Sequence, residues 1–222
     1  MAAGDISDAL LVRVRGILDE PTAGFWTDAV LFSYMTHAQN MIIDQRSLKY
    51  IQAYSQNKFI DDPILSPVLT TASIAWDTGA NSITLPAGCR YVFYAELFKS
   101  SDLTVSPVPI TRVGYDELQW RKGNAYIGHS FDNGTGKGQV FYYIGDKLYT
   151  SFTTGSHSTY HDKITIVYIK NPSDITTSVD PTLNADCYDA IIEYTCYLAL
   201  IQDKKHQEAS VHLQNFFRWV LN

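Results

Sequence analysis

Apolar residues recur at steps of three and four near the start of the chain, at Ile6, Leu10, Val14, Ile17 and Leu18. This spacing predicts an amphipathic helix. Asp5 or Ser7 is placed to cap it, and Asp19-Glu20-Pro21 to end it, because the residue before a proline avoids helical dihedrals. A second helix is expected from Thr27 as N-cap, with Trp26 and Leu31 at the two positions of a hydrophobic staple and Asp28 adding negative charge to the first turn. Val30, Leu31, Tyr34, Ala38, Met41 and Ile42 continue one face, and the pattern runs on after a bend near Asp44 through Leu48, Ile51 and Tyr54.

The period changes at Pro63. Short alternating or β-branched runs follow, among them Ser73-Ile74-Ala75-Trp76, Ser82-Ile83-Thr84-Leu85, Tyr91-Val92-Phe93-Tyr94, Val140 to Ile144, Lys147 to Thr150 and Lys163 to Tyr168. Asp77 to Asn81 and Gly145-Asp146 read as hairpin connections. Strands this short and this closely spaced predict an antiparallel sandwich or barrel. Helical spacing returns at Ala190, Ile191, Tyr194, Leu198 and Ile201, and again over Gln207 to Leu221, after a polar hinge at Asp203-Lys204-Lys205. The expected fold class is therefore α+β. Helices of segments 1–62 and 181–222 pair into a bundle, because isolated amphipathic helices are marginal, and an antiparallel β-domain at 63–180 is inserted between them.

Composition narrows what such a fold does. The 222 residues are 45% hydrophobic and 18% charged, where a globular domain carries about 25% charged residues. Fifteen Tyr and many uncharged polar residues supply the remaining polarity. This excludes a disordered chain, which needs low hydrophobicity and high charge. Seventeen basic against twenty-three acidic residues, net −6, argue against a surface built to grip nucleic acid. No apolar run reaches the roughly 18 residues of a membrane span, and Met1 to Asp5 lacks the character of a signal peptide. Cys89, Cys187 and Cys196 are odd in number and without metal-site spacing, as expected of free thiols in a reducing compartment.

Candidate chemistry is sparse. The glycine-rich stretch Phe131 to Gly138 fails as a phosphate loop. Phe131 stands where the first glycine belongs, Gly138 where the metal-binding hydroxyl belongs, and Gln139 opens a strand. It reads as a surface loop, and it lacks calcium-loop spacing as well. His157 and His161 are four apart but lie in a polar loop with no third ligand, and His206 and His212 on the last helix are expected to face solvent or a neighbouring subunit. No histidine partners a cysteine, no Gly-x-Ser-x-Gly elbow occurs, and Asp77, Asp116, Glu117 and Asp146 fall in turns or at helix starts. No enzyme, metal or cofactor is expected. Tyr126, Tyr142, Tyr143, Tyr149, Phe152 and Tyr168 lie in strands, where about half should point outward, and without interleaved basic residues protein contact suits them better than base stacking. Phe216, Phe217, Trp219, Val220 and Leu221 cover more than one face of the last helix, so two readings stand: contact with a partner, or burial under the β-domain.

Seven short motifs stand in an order that resembles one family, the head–tail adaptors of tailed bacteriophages. Leu10 to Asp19 resembles that family's first helix, and Phe25 to Leu31 with Tyr34 and Ala38-Gln39-Asn40 its second. Ser82 to Pro86 resembles its Leu-Pro strand, Ile110 to Leu118 its mid-domain turn of helix, and Tyr142 to Tyr149 its Gly145-Asp146 hairpin. Tyr168 to Ile175 resembles the strand that ends in Pro-x-Asp-Ile, and Tyr188 to Tyr194 the start of the closing helix. Departures are Ala87-Gly88-Cys89 after the Leu-Pro pair, and longer loops at 122–138 and 153–161.

The resemblance implies a structural virion protein: a homo-oligomeric ring, twelve-fold, that forms under the portal, completes the head after packaging and extends the DNA channel toward a downstream tail or nozzle protein. It implies assembly in the host cytoplasm, no membrane, and DNA passing without sequence-specific binding, which suits a chain of net −6. The rival from another class is a carbohydrate-binding β-module of a tail spike or adhesin using its exposed aromatics. Metal hydrolysis at His157 and His161 is third.

Overall fold

A computed structural model describes residues 4–53, 62–75, 82–98, 107–114, 140–150 and 163–221. Four helices and seven strands make up the regular structure among them: α1 (Asp5–Ile17), α2 (Asp28–Ala53), β1 (Leu69–Ala75), β2 (Ser82–Thr84), β3 (Cys89–Phe98), β4 (Val108–Arg112), β5 (Val140–Ile144), β6 (Lys147–Thr150), β7 (Lys163–Lys170), α3 (Tyr188–Gln202) and α4 (His206–Leu221). The fold is α+β. The chain divides into two compact units, one of Met1–Gln52, Lys58–Val68 and Asn171–Asn222, the other of Ala53–Asn57 and Leu69–Lys170.

In the helical unit, Leu10, Leu11 and Val14 of α1 and Leu18 just after it are buried, while Ile17, expected on that face, is 49% exposed. Helix α1 ends at Ile17, before Pro21 can act. Asp19 adopts a left-handed φ of +55°, and the Glu20 amide donates to Arg15 O at 3.0 Å, closing the last turn. The same closure separates α3 from α4. There Lys204 has φ +62°, its amide donates to Ile201 O, and that of Lys205 to Leu200 O. Helix α2 is continuous over 26 residues. It buries Leu31, Met35, Ala38 and Ile42 on one row and Phe32, Gln39, Ile43 and Arg46 on the adjacent one.

Helix α3 is apolar nearly all round, with Ala190, Ile191, Ile192, Tyr194, Cys196, Ala199 and Leu200 buried, as suits a helix enclosed by others. It packs against α1 and α4. It meets α2 where the Tyr194 ring stacks on His37 at 5.7 Å and where the Tyr34 hydroxyl donates to Gln202 Oε1 at 2.7 Å.

The other unit is built on one sheet, in the order β1-β7-β3-β4-β5-β6-β2. All pairs are antiparallel except β4 with β5. Alternation along β7 sends Ile164, Ile166 and Tyr168 to the core, where they join Val92, Ala95, Leu97, Ile110, Phe141 and Leu148. The register of β3 against β7 shifts twice, between Cys89 and Tyr91 and between Val92 and Tyr94, marking bulges that bend the long strand. Strand β4 takes up the first residues of the stretch 110–118 expected to hold a turn of helix, and from Tyr115 onward that stretch lies outside the described residues. Val108, Ile110 and Thr111 are β-branched and are held in extended form between β3 and β5.

Candidate functional site

Two buried polar groups organise the helical unit. The first is Arg15, only 5% exposed. Its Nε donates to Asp28 Oδ1 at 3.2 Å, its Nη1 to Glu20 O at 3.4 Å, and its Nη2 to Trp26 O at 3.0 Å and to the Asp28 carboxylate. Glu20 in turn accepts from the amides of Phe25 and Trp26. One guanidinium thus gathers the whole connection between α1 and α2. Trp26 is buried at 4% exposure and Leu31 fully, while Phe25, edge-on to Trp26 at 5.0 Å, is 62% exposed. Thr27 accepts the Val30 amide on its hydroxyl at 3.4 Å and on its carbonyl at 3.1 Å, which fixes the first turn of α2.

The second is Gln39, fully buried. Its Nε2 donates to Ser173 O at 3.1 Å, and its Oε1 accepts from the amides of Thr182 and Leu183 at 2.7 and 3.2 Å. The Thr36 hydroxyl accepts the Ile175 amide at 2.9 Å. The segment after the sheet is therefore tied to α2 through two side chains one turn apart.

That segment also caps α1. The N-cap position is Gly4, not Asp5 or Ser7 as expected, and the Ser7 hydroxyl donates to Gly4 O and Thr176 O. Asp180 Oδ1 accepts amides of the first turn from a distance in sequence, at 3.0 Å from Ile6 N and 2.9 Å from Ser7 N. Gly4 makes the approach possible. It has φ +94°, and a Cβ there would lie 2.1 Å from Thr177 O. Replacing Asp180 by Ala should cost about 1 kcal/mol, the usual value of a helix cap, read as an earlier denaturant midpoint with an unchanged slope. Asp180→Asn, which keeps the acceptor, should recover most of it.

In the sheet unit, Gly145 and Asp146 join Ile144 to Lys147 as a two-residue turn. Gly145 takes φ +58°, the hairpin form with glycine in first place. The Asp146 carbonyl accepts from Leu85 N at 2.8 Å, and Pro86 O accepts from Cys89 N at 3.1 Å, so the Leu-Pro segment and the hairpin brace one another. Tyr142, Tyr143 and Tyr149 are half-buried, Arg112 lies 4.7 Å over the Tyr143 ring, and Tyr168 is buried.

The last helix divides its aromatics. Phe216 is fully buried against Tyr194, with ring centroids 4.6 Å apart, and Val220 is 2% exposed. Phe217 and Trp219 are half-buried, and Leu221 is 67% exposed. His212 pairs with Glu193 of α3 at 2.7 Å instead of facing outward, whereas His206 is exposed. Two recesses open in this unit. One, of about 650 Å³, runs beside α2 between Phe32, Thr36 and Ile175. The other, of about 520 Å³, is lined by Arg46, Asn215, Arg218 and Trp219.

Burial pushes the Cys187 and Cys196 thiols up to about 12 and Cys89 to about 11, so all three stay protonated and poorly nucleophilic near neutrality. A raised folded-state value contributes stability that is complete below the unfolded value of 9.0 and is lost as pH climbs from there toward 12. Stability should therefore fall between pH 9 and 11, and a Cys187→Ala, Cys196→Ala variant should show a shallower fall. A thiol-reactive chromophore should label both positions only as fast as the chain unfolds.

Among the described residues no group of His, Cys, Asp and Glu is arranged to hold a metal ion, and no helix is long and apolar enough to cross a membrane. The stretches expected as loops at 131–138 and 157–161, and Asp116, Glu117, Tyr126 and Phe152, lie outside the described residues. So does the connection at 77–81, but the strands it joins are not the hairpin pair expected, since β1 pairs with β7 and β2 with β6.

No curated protein matches the chain. A family described as SU10 adaptor protein matches residues 1–218. A match over almost the whole length spans both units, the Arg15 connection, the Gln39 clamp and the closing helices, and on it the chain belongs to the SU10 adaptor protein family, a family of structural adaptors of phage virions.

Proposed function

We propose that the protein is the head-to-tail adaptor of a tailed phage, assembled in the host cytoplasm as a twelve-fold ring under the portal. The ring extends the DNA channel and passes the connection on to a tail or nozzle protein. In this reading the helices of 1–62 and 181–222 close into a bundle, and the β-domain at 63–180 closes into a sandwich or barrel. The observation that carries the proposal is the family match over residues 1–218. The composition supports it: a chain of net −6 offers DNA no general grip, while its many Tyr suit protein contacts.

The portal or neighbouring subunit is met by the outer face of α4. Phe216 and Val220 anchor that helix from inside, and Phe217, Trp219 and Leu221 are its reachable apolar positions. Because deleting the helix would remove part of the core, point changes are the proper test. A Phe217→Ser, Leu221→Asp double variant should keep the parent's circular dichroism and thermal transition, and should bind DNA-filled heads about tenfold more weakly or worse. Undiminished binding to heads would remove this face from the proposal.

A further inference from the structure

The recess between α2 and α4 is cationic, and of its lining the adaptor reading uses only Trp219. Arg46 lines it at 9% exposure, with its guanidinium carbon 5.8 Å from the centre of the Trp219 ring. Its Nε has no hydrogen-bond partner among the described residues, and none of the ion pairs found among them includes it. The contrast with Arg15, which is equally buried but wrapped in carboxylates and carbonyls, is direct. A buried guanidinium N–H left without an acceptor is costly, and the cost is recovered when an anion arrives with good geometry. Arg218 and Asn215, three apart on α4, line the same recess.

Guanidinium forks around one indole edge and one carboxamide suit a single planar anion. A DNA duplex presents phosphates at regular spacing and is held by arrays of cations, so this chemistry fits a carboxylate on a protein. We infer that the recess receives an Asp or Glu side chain of a second copy of this chain. Each copy carries twenty-three acidic against seventeen basic residues, so neighbouring copies repel in general, and a recessed cationic site gives their approach a fixed register. The inference rests on the ring reading above.

Two measurements on the full-length chain test it. In the first, an isotope-labelled sample kept dilute is titrated with sodium acetate, and with sodium chloride at matched ionic strength, while the Arg46 Nε–H and Trp219 Nε1–H resonances are followed. Saturable shifts with acetate and none with chloride are expected. No response, or a response to inorganic phosphate and a short duplex but not to acetate, overturns the carboxylate site. In the second, sedimentation compares self-association of the parent with Arg46→Gln and Arg218→Gln, each checked for an unchanged thermal transition. Association weakened about tenfold or more in both is expected. A ring that forms equally well in both variants overturns the recess as a contact while leaving the ring intact. A parent that stays monomeric with and without its portal, while acetate still shifts Arg46, overturns the second copy as occupant together with the ring.

Discussion

Replacing Arg15 by Ala should destabilise the helical unit by about 3 kcal/mol, near the lower end of what removing one partner of a buried ion pair costs. The lower end applies because Asp28, half-exposed at 50% of its side chain, can regain water. Glu20 cannot do so as readily, at 17%, and the Trp26 carbonyl loses its donor. In a chain of this size such a loss lowers the melting temperature by about 6 to 12 °C. Arg15→Lys should fall between parent and Ala, since one ammonium cannot reach two carboxylates and two carbonyls in the geometry of a planar fork. A melting temperature for Arg15→Ala within a degree of the parent would show that the α1–α2 connection is held by packing alone.

Gln39→Leu should cost about as much, for a different reason. The leucine fills the space but leaves the buried Leu183 N and the part-buried Ser173 O and Thr182 N without partners, and a buried group so stranded costs about 1–3 kcal/mol. A total of about 3 kcal/mol is expected, because part of the 173–183 segment can loosen and recover water. That loosening has its own signature: hydrogen exchange at the Thr182 and Leu183 amides should speed up at least tenfold relative to amides in the middle of α3. Gln39→Glu, which keeps the acceptor and loses the donor to Ser173, should show roughly half the effect. Unchanged exchange at both amides in Gln39→Leu would mean the segment is held by other contacts.

These two residues mark the boundary of what could be read from the chain before folding. Punctuation was legible where it is local. Thr27 opens α2, Asp203-Lys204-Lys205 separates the closing helices, and Gly145-Asp146 turns the hairpin, because in each place the residue type and the backbone geometry lie within a few positions of one another. Helix faces were legible to within one row, with Ile17 expected on the buried face and found exposed, since a stripe of apolar residues gives a direction but not a rotation.

Side chains that serve a distant segment were not legible. Asp180 caps a helix 173 positions away, the polar Arg15 and Gln39 are buried, and His212 faces Glu193 across a helix pair. Only buried polarity at a helical step betrays such residues, and one sequence read alone does not distinguish it from an exposed position. The aromatic end of α4 was ambiguous for the same reason. Its rings divide between the core at Phe216 and the half-buried positions Phe217 and Trp219.

The central claim is that this chain is a ring-forming adaptor, and electron microscopy of the purified protein, alone and mixed with the portal of the same phage, tests it most directly. The account predicts closed twelve-fold rings stacked coaxially on the portal, with an open central channel continuous with the portal's own. Portal particles bare at their tail-facing end beside free monomers of the protein, at concentrations well above those of an infected cell, would contradict it.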